Sequence, residues 1–244
     1  MNVSRFRASG LHFLISFIVG FLLLALCWFV WYPAPMLMTI GGHEIFLLVV
    51  GIDVIVGPLL TLVVFKTGKK GMMFDLVIIA MLQIGAMTYG VGTLLEGRPV
   101  YLAALGNKFQ VIQASELTDG NLAKAKMPLP WWGPRLVGTK APTDKHDISM
   151  VDSMASVGGG RGHMPHLHIP YESMTAEILK NASSIEKLKQ QNPTKGAEID
   201  AWLKERGYSD TTAMYQPVRI STSMLAIIVD AKSAAVIGIA NFNP

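Results

Sequence analysis

Hydrophobic and polar positions are unevenly distributed along this chain, and three long apolar runs fall within its first hundred residues. The runs cover residues 11–31, 45–65 and 75–95. Each has roughly the 20 residues that a helix needs to cross the ~30 Å hydrocarbon layer of a bilayer. The pattern therefore predicts three transmembrane helices.

Beyond residue 96 the apolar stretches are short and alternate with polar, Gly-rich or Pro-rich segments. Strand-length runs flanking Gly106-Asn107 predict a hairpin, and a helical stripe of apolar residues predicts two amphipathic helices. Two runs at the end are apolar on both faces, which favours covered central strands. The predicted strands are 100–104, 109–113, 224–231 and 234–242, and the predicted helices are 171–191 and 194–207.

These elements predict a membrane protein with three transmembrane α-helices followed by a periplasmic α+β domain with an antiparallel sheet. The membrane domain takes residues 1–96 and the α+β domain takes residues 97–244. The polar, Gly-rich segment 143–170 is expected to form a long loop. The lone cysteine, Cys27, lies in the first apolar run, so no disulfide is expected in the α+β domain.

The charged residues predict the orientation of the helices. Arg5 and Arg7 precede the first helix, and three lysines lie between the second and third helices at 66–70. The loop between the first two helices has neither Lys nor Arg. The positive-inside rule then puts the N-terminus in the cytoplasm and the α+β domain in the periplasm of a bacterial inner membrane. Membrane lipids are expected partners of the three helices. The net charge of +4 is mild, so nucleic acid is not an expected partner.

One acidic residue, Asp53, lies inside the second apolar run. A carboxylate at mid-depth in a bilayer is costly, so such residues usually face a partner or a cavity. Asp53, Gly57 and Thr61 have the spacing i, i+4, i+8 and line one helix face. This face is small and polar, which suits close packing against another helix. Pro58 removes a main-chain donor and predicts a kink just after the acid.

Three interpretations of this polar face remain open. Counting helix rise from the lysine loop puts Asp53 about 18 Å deep and Gln83, in the third helix, about 14 Å deep. Asp53 is therefore within reach of Gln83, and the two side chains would stabilise the bundle internally. Alternatively, the face binds a helix of another protein, or it takes part in moving protons or ions.

Several strings along the chain together resemble one known family, the type IV pilin accessory proteins (TfpX/TfpZ-like), which are encoded near major pilins. The resemblance spans nearly the whole chain and is strongest over residues 5–113. The strings are FRASGLHFLISF, WYPAP, GIDVIVGPLLTLVVF, FDLVIIAMLQ, EGRPVY, GNKFQVI, PLPWWGP and IIVDAKSAAVIGIANF.

The resemblance implies a non-enzymatic inner-membrane protein that binds or stabilises the type IV major pilin and assists its assembly into pili. A pilin subunit is held in the membrane by one N-terminal helix, with its globular head in the periplasm. A helper would need a polar membrane face and a periplasmic domain. We therefore predict that Asp53, Gly57, Thr61 and Gln83 contact the pilin helix.

Two tryptophans and three histidines are further candidates. Trp131 and Trp132 either fill the core or contact a partner or the membrane surface, where tryptophan is enriched. His163, His166 and His168 lie near Met164, and these side chains suit copper or zinc. Their spacing matches no standard zinc pattern, so they are weak metal candidates in a solvated loop, and no cofactor is expected.

An enzyme is not expected. Asp53 and Asp75 would have to be almost in contact to form an aspartyl dyad, but helix rise separates them by about 18 Å. The rival to an accessory factor is a membrane-anchored periplasmic sensor or regulator that binds a small ligand or metal. The short cytoplasmic segments argue against it, because they leave no room for an output domain.

Overall fold

The computed structural model describes residues 4–66, 69–125, 127–156 and 158–244. The chain divides into two compact units. The first, the bundle unit, comprises the chain up to Pro33 together with Gly41–Arg98. The second, the sheet unit, comprises Ala34–Ile40 and Pro99–Pro244.

Within its described residues, the bundle unit contains three helices that are long and apolar enough to cross a membrane, as predicted. They are Arg5–Trp31, Gly42–Val64 and Met72–Gly97, called here the first, second and third long helices. The second long helix packs against both others. The first ends in a π-helical turn, Cys27–Trp31, and the second contains one at Ile52–Val56.

The described strands of the sheet unit are β1 (Pro99–Ala104), β2 (Phe109–Gln113), β3 (Arg135–Thr139), β4 (His168–Ile169), β5 (Ser183–Ser184), β6 (Ala213–Ile220), β7 (Ser223–Asp230) and β8 (Val236–Ala240). These eight strands form one sheet with the order β4-β3-β1-β2-β6-β7-β8, and β5 also pairs with β6. The α+β class is confirmed, but the sheet is mixed, because β1 pairs with β3 and β2 with β6 in parallel. Long crossovers separate these pairs in sequence, and parallel pairing needs such crossovers.

The helices of the sheet unit correct two predictions. The helix expected over 171–191 is broken, because β5 lies within it and pairs with β6. The prediction of a long loop over 143–170 is wrong, since this segment contains an 11-residue helix and two 3₁₀ turns. The α-helices are Met36–Thr39, Asp119–Ala123, Lys145–Ala155, Thr175–Asn181, Ile185–Gln191 and Gly196–Glu205, and the 3₁₀ turns are Ala114–Glu116, Arg161–His163, Pro165–Leu167 and Tyr171–Met174.

Strand β7 is covered on both faces, as its continuous apolar sequence predicts. Ile227 and Val229 belong to one hydrophobic cluster, whereas Ala226 and Ile228 belong to another. The first cluster also includes Met36, from the segment between the first two long helices. That segment therefore folds with the sheet, which explains why it belongs to the sheet unit.

Candidate functional site

The polar face of the second long helix begins at its π-helical turn. Gly57 donates its main-chain N–H to Ile52 five residues earlier, which defines the turn. Pro58 follows and has no N–H to offer to the carbonyl of Val54. The irregularity predicted from Pro58 is thus a π-turn that contains Asp53, and such turns are frequent at functional sites.

Asp53 is buried, with 6% of its surface exposed. The Gln83 amide Nε2 lies 3.4 Å from Asp53 Oδ1 and 3.3 Å from the Asp53 main-chain carbonyl oxygen. Both distances are long for an N–H···O hydrogen bond. Among the residues that the structure describes, no group donates to the second carboxylate oxygen. The acid therefore has one weak internal partner and unused acceptor capacity.

Gly57 and Thr61 face the other two long helices. A Cβ atom at Gly57 would lie 2.1 Å from Gln83 Nε2, so the Gln83 amide occupies the space that this glycine leaves. Thr61 Oγ1 lies 2.7 Å from His12 Nδ1 in the first long helix. Both positions are buried, so Gly57 and Thr61 contact the bundle itself.

The first long helix adds polar residues that the sequence reasoning missed. Ser9 Oγ donates a hydrogen bond to the main-chain carbonyl of Pro58 at 2.8 Å, two residues after the π-helical turn ends. Ser16 is buried, and Gly20 lies against Val50. Ser9, His12, Ser16 and Gly20 recur at spacings of three and four residues, which would have indicated a second small, polar face.

A groove opens beside Asp53 between the first and third long helices. It consists of two adjoining cavities of about 280 and 440 Å³ that share His12, Ile15, Ala80 and Gln83. We call it the bundle groove. Its walls are mainly apolar and exposed; Ile84, for example, has 66% of its surface exposed. The other residues lining the cavity that contains Asp53 are Ser16, Val19, Met87 and Thr88.

His163, His166 and His168 are folded into the sheet unit, in contrast to the expected solvated loop. His166 Nε2 lies 2.7 Å from Asp147 Oδ2, and this hydrogen bond lowers the pKa of Asp147. His168 Nε2 donates to the Gly162 carbonyl at 2.8 Å, and burial lowers the pKa of His168. Among the described residues, no group of three His, Cys, Asp or Glu side chains could hold a metal ion.

The two tryptophans lie on the surface just before β3. Trp131 is 53% exposed and Trp132 is 74% exposed, which excludes the core alternative for both indoles. Met127 nearby is also exposed, and its sulfur lies 3.8 Å from Arg135 Nη1. Contact with a partner or with the membrane surface remains a prediction for Trp131 and Trp132.

Comparison with known proteins places this chain among pilus-related proteins. A family model described as fimbrial assembly protein FimB matches residues 2–41. The fimbrial assembly protein of serogroup E1 of Dichelobacter nodosus is 27% identical over 240 residues, which cover 94% of this chain and 93% of that protein. The protein of serogroups C1 and C2 of the same organism is 35% identical over 134 residues, covering 52% of this chain and 98% of that protein.

No solved structure matches the chain. The names of the relatives agree with the resemblance drawn from the sequence at the level of pilus assembly. The identity to the protein of serogroups C1 and C2 extends over nearly all of that relative. This chain belongs to the family of fimbrial assembly proteins.

Proposed function

We propose that this protein is a non-enzymatic inner-membrane factor that binds the type IV major pilin and assists its assembly into pili. In this proposal the bundle groove receives the membrane helix of the pilin, and the sheet unit lies in the periplasm near the pilin head. The finer resemblance to TfpX/TfpZ-like accessory proteins is part of the same proposal. The relatives support it by their name, fimbrial assembly protein.

The single observation that carries the proposal is the incomplete pairing of Asp53. A buried carboxylate is expensive in a membrane unless its oxygens accept hydrogen bonds or face a partner. The Gln83 amide supplies one long contact, and Asp53 lines the floor of the bundle groove. A donor or positive group on a docked helix would complete the pairing of this acid.

The walls of the bundle groove suit the side of a helix. Ile15, Val19 and Ile84 are exposed apolar side chains that a docked helix would cover. A helix with side chains is about 10 Å wide, so cavities of 280 and 440 Å³ accept side chains from a helix lying along the groove and do not enclose it. Association inside a membrane depends on such packing together with hydrogen bonds between helices.

The proposal divides the four predicted contact residues by role. Asp53 and Gln83 line the groove and would contact the pilin helix directly. Gly57 would act indirectly, because it makes room for Gln83. Thr61 is buried and lines the second cavity of the groove, where it would act by holding His12. Substituting Gly57 would therefore disturb the bundle before it disturbs a partner.

The test is recovery of the major pilin with the detergent-solubilised protein. Ala80 is exposed and lines both cavities, so Ala80→Phe fills the groove without touching the contact between Asp53 and Gln83. Asp53→Asn removes the charge at nearly constant size. We expect both variants to accumulate in the membrane and to recover less pilin than the wild type.

The matched control is Met81→Phe, at the next position of the third long helix. Met81 is exposed and does not line either cavity, so Met81→Phe adds the same aromatic ring outside the groove. It should recover pilin normally. Wild-type recovery by both Ala80→Phe and Asp53→Asn would disprove docking in the bundle groove.

A further inference from the structure

The sheet unit contains a cavity of about 350 Å³ that the proposed pilin contact does not use. It lies where β2, the end of β6 and the Gly-rich segment after Lys145–Ala155 meet. Its lining combines charged, amide and hydroxyl groups, and a cavity of this size accepts a small molecule. The lining residues used below are Gln110, Glu116, Gly158, His163, Arg219 and Thr222.

Arg219 provides a positive charge at this cavity. Its Nε donates to the Ser221 carbonyl at 3.0 Å. Among the described residues, no carboxylate lies within ion-pair distance of Arg219, and its Nη groups have no acceptor. The planar guanidinium presents donors in a fork that matches the two oxygens of a carboxylate.

The position of the guanidinium depends on Gly158. A Cβ atom there would lie 1.9 Å from both Nη atoms of Arg219, so only glycine allows this approach. Gly158 also has a φ of +80°, a backbone conformation that favours glycine. Gln110 is buried, and its Nε2 holds the Gly158 carbonyl at 2.9 Å. The guanidinium is thus packed against Gly158, whose carbonyl is held by Gln110, and such preorganisation favours binding.

Glu116 provides the opposite charge in the same cavity. Its Oε2 accepts from the Gln113 N–H at 2.8 Å and lies 3.7 Å from His163 Nε2. Burial alone would raise the pKa of Glu116, but His163, the Gln113 N–H and the charge of Arg219 together outweigh burial and lower it. His163 is only 4% exposed, and its Nδ1 has no partner among the described residues.

We propose that this cavity binds a small zwitterionic carboxylic acid of the amino-acid class. The carboxylate of the ligand lies on the Nη groups of Arg219, and its ammonium group lies toward Glu116 and the hydroxyl of Thr222. The negative charge of Glu116 disfavours phosphate, which carries more charge and has no cationic group. The proposal does not depend on pilin binding, because every residue named lies in the sheet unit.

The test uses the full chain in detergent and measures binding heat and the thermal unfolding midpoint. The probes are the common amino acids added singly, with acetate, methylamine and inorganic phosphate as controls that carry only one of the two charges. We expect at least one amino acid to bind at millimolar concentration or better and to raise the midpoint. The single-charge probes should not do so at the same concentration.

Variants separate this site from adventitious binding. Arg219→Gln and Glu116→Gln should each weaken binding of that amino acid by at least about tenfold, since each removes a charged hydrogen bond. Arg219→Lys keeps the charge and should bind more weakly than the wild type while unfolding at a similar temperature. Arg206→Gln is the matched control, because Arg206 is a surface arginine stacked on Trp202.

Three results would overturn the proposal. They are no binding of any amino acid to the wild type, equal binding of acetate or phosphate, and binding that Arg206→Gln weakens as much as Arg219→Gln does. None of these results bears on pilin recovery, so the two proposals fail separately.

Discussion

The side-chain amide of Gln83 reaches across from the third long helix to two acceptors of Asp53, its main-chain carbonyl at 3.3 Å and its carboxylate at 3.4 Å. The amide also occupies the space left by Gly57. One side chain therefore connects the π-turn, the buried acid and the glycine. Because both distances are long, the hydrogen-bonding capacity of the Asp53 carboxylate is only partly used. Asp53 can therefore stabilise the bundle through Gln83 and still accept a hydrogen bond from a docked helix, as proposed.

Gln83→Leu should destabilise the bundle unit. The change removes both contacts to Asp53 and leaves the acid without its donor. Hydrogen bonds between membrane helices contribute about 0.6–1.7 kcal/mol, and a loss of this size is expected in the free energy of unfolding in detergent. Tyr89→Phe, at an exposed site on the same helix, should be silent. Equal stability of Gln83→Leu and the wild type would show that the contact is energetically negligible.

Gly57→Ala should lower the free energy of unfolding of the bundle unit, whereas Gly85→Ala should not. A methyl group at Gly57 would lie 2.1 Å from the Gln83 amide and must push it away from Asp53, but Gly85 has no atom within 4 Å of the new methyl. Overpacking typically costs about 1–3 kcal/mol. Unfolding titrations of both variants in detergent measure the difference.

A second substitution tests the cause of that damage. Gln83→Ala removes the group that clashes with the new methyl, so Gly57→Ala should cost much less in a Gln83→Ala background. If the cost is the same in both backgrounds, the clash with Gln83 is not the reason that Gly57 is required.

Apolar patterning is sufficient to predict the long helices and β7, whose burial follows from local sequence. The central position favoured for the last strand is wrong, because β8 lies at the end of the strand order and is only partly buried. Apolar patterning also fails for residues 171–191. Ile178, Ile185 and Leu188 fall on one helical stripe and are all buried, yet Ser183 pairs with Tyr215 in β6. Ser184 then caps the next helix by accepting from the Lys187 N–H at 3.4 Å. The break depends on a distant strand that local periodicity cannot indicate.

The Gly-rich and His-rich segment is misjudged for a similar reason. Its composition is typical of a loop, but its contacts are to residues far away in sequence. Arg161 Nε donates to Thr139 Oγ1 at 2.9 Å, and Gly162 fits against Ala103 and Ile112. Polar side chains that have distant partners become buried, which composition alone does not indicate.

The candidate site is partly predictable because helix rise is regular. Counting residues from the lysine loop is enough to bring Asp53 within reach of Gln83, and the structure has this contact. The contribution of Ser9 and His12 requires knowing which face of the first long helix packs on the second. That choice depends on the fit of whole helices.

A reporter that is active only in the periplasm should function when fused after Pro244 and should fail when inserted at Lys70. The loop charges motivate this topology. Met36, between the first two long helices, shares a core cluster with the sheet strands. The predicted topology puts both segments in the periplasm, with the second and third long helices crossing the membrane in opposite directions. Reporter activity at Lys70 and none at Pro244 would show that the orientation is opposite to the predicted one.

Mild acid should destabilise the sheet unit through His168. Burial lowers the pKa of this imidazole below its usual 6.5. The hydrogen bond to the Gly162 carbonyl opposes this shift, and His166, Arg135 and His163 add smaller decreases. The unfolded chain therefore takes up the proton first as the pH falls below about 6.5. Stability is complete above that pH and declines until the pKa of the folded state is reached. The slope from one such group cannot exceed about 1.4 kcal/mol per pH unit.

His168→Gln tests this assignment of the pH dependence. Glutamine keeps an N–H donor for the Gly162 carbonyl but does not titrate, although it loses the edge contact with the Tyr101 ring at 4.6 Å. We expect a lower unfolding midpoint at pH 7.5 and a smaller further decrease between pH 7.5 and pH 5.5 than in the wild type. His146→Gln removes an exposed histidine of the same unit and should leave the wild-type pH profile unchanged. If His168→Gln retains the full wild-type decrease, another group is responsible for the acid sensitivity.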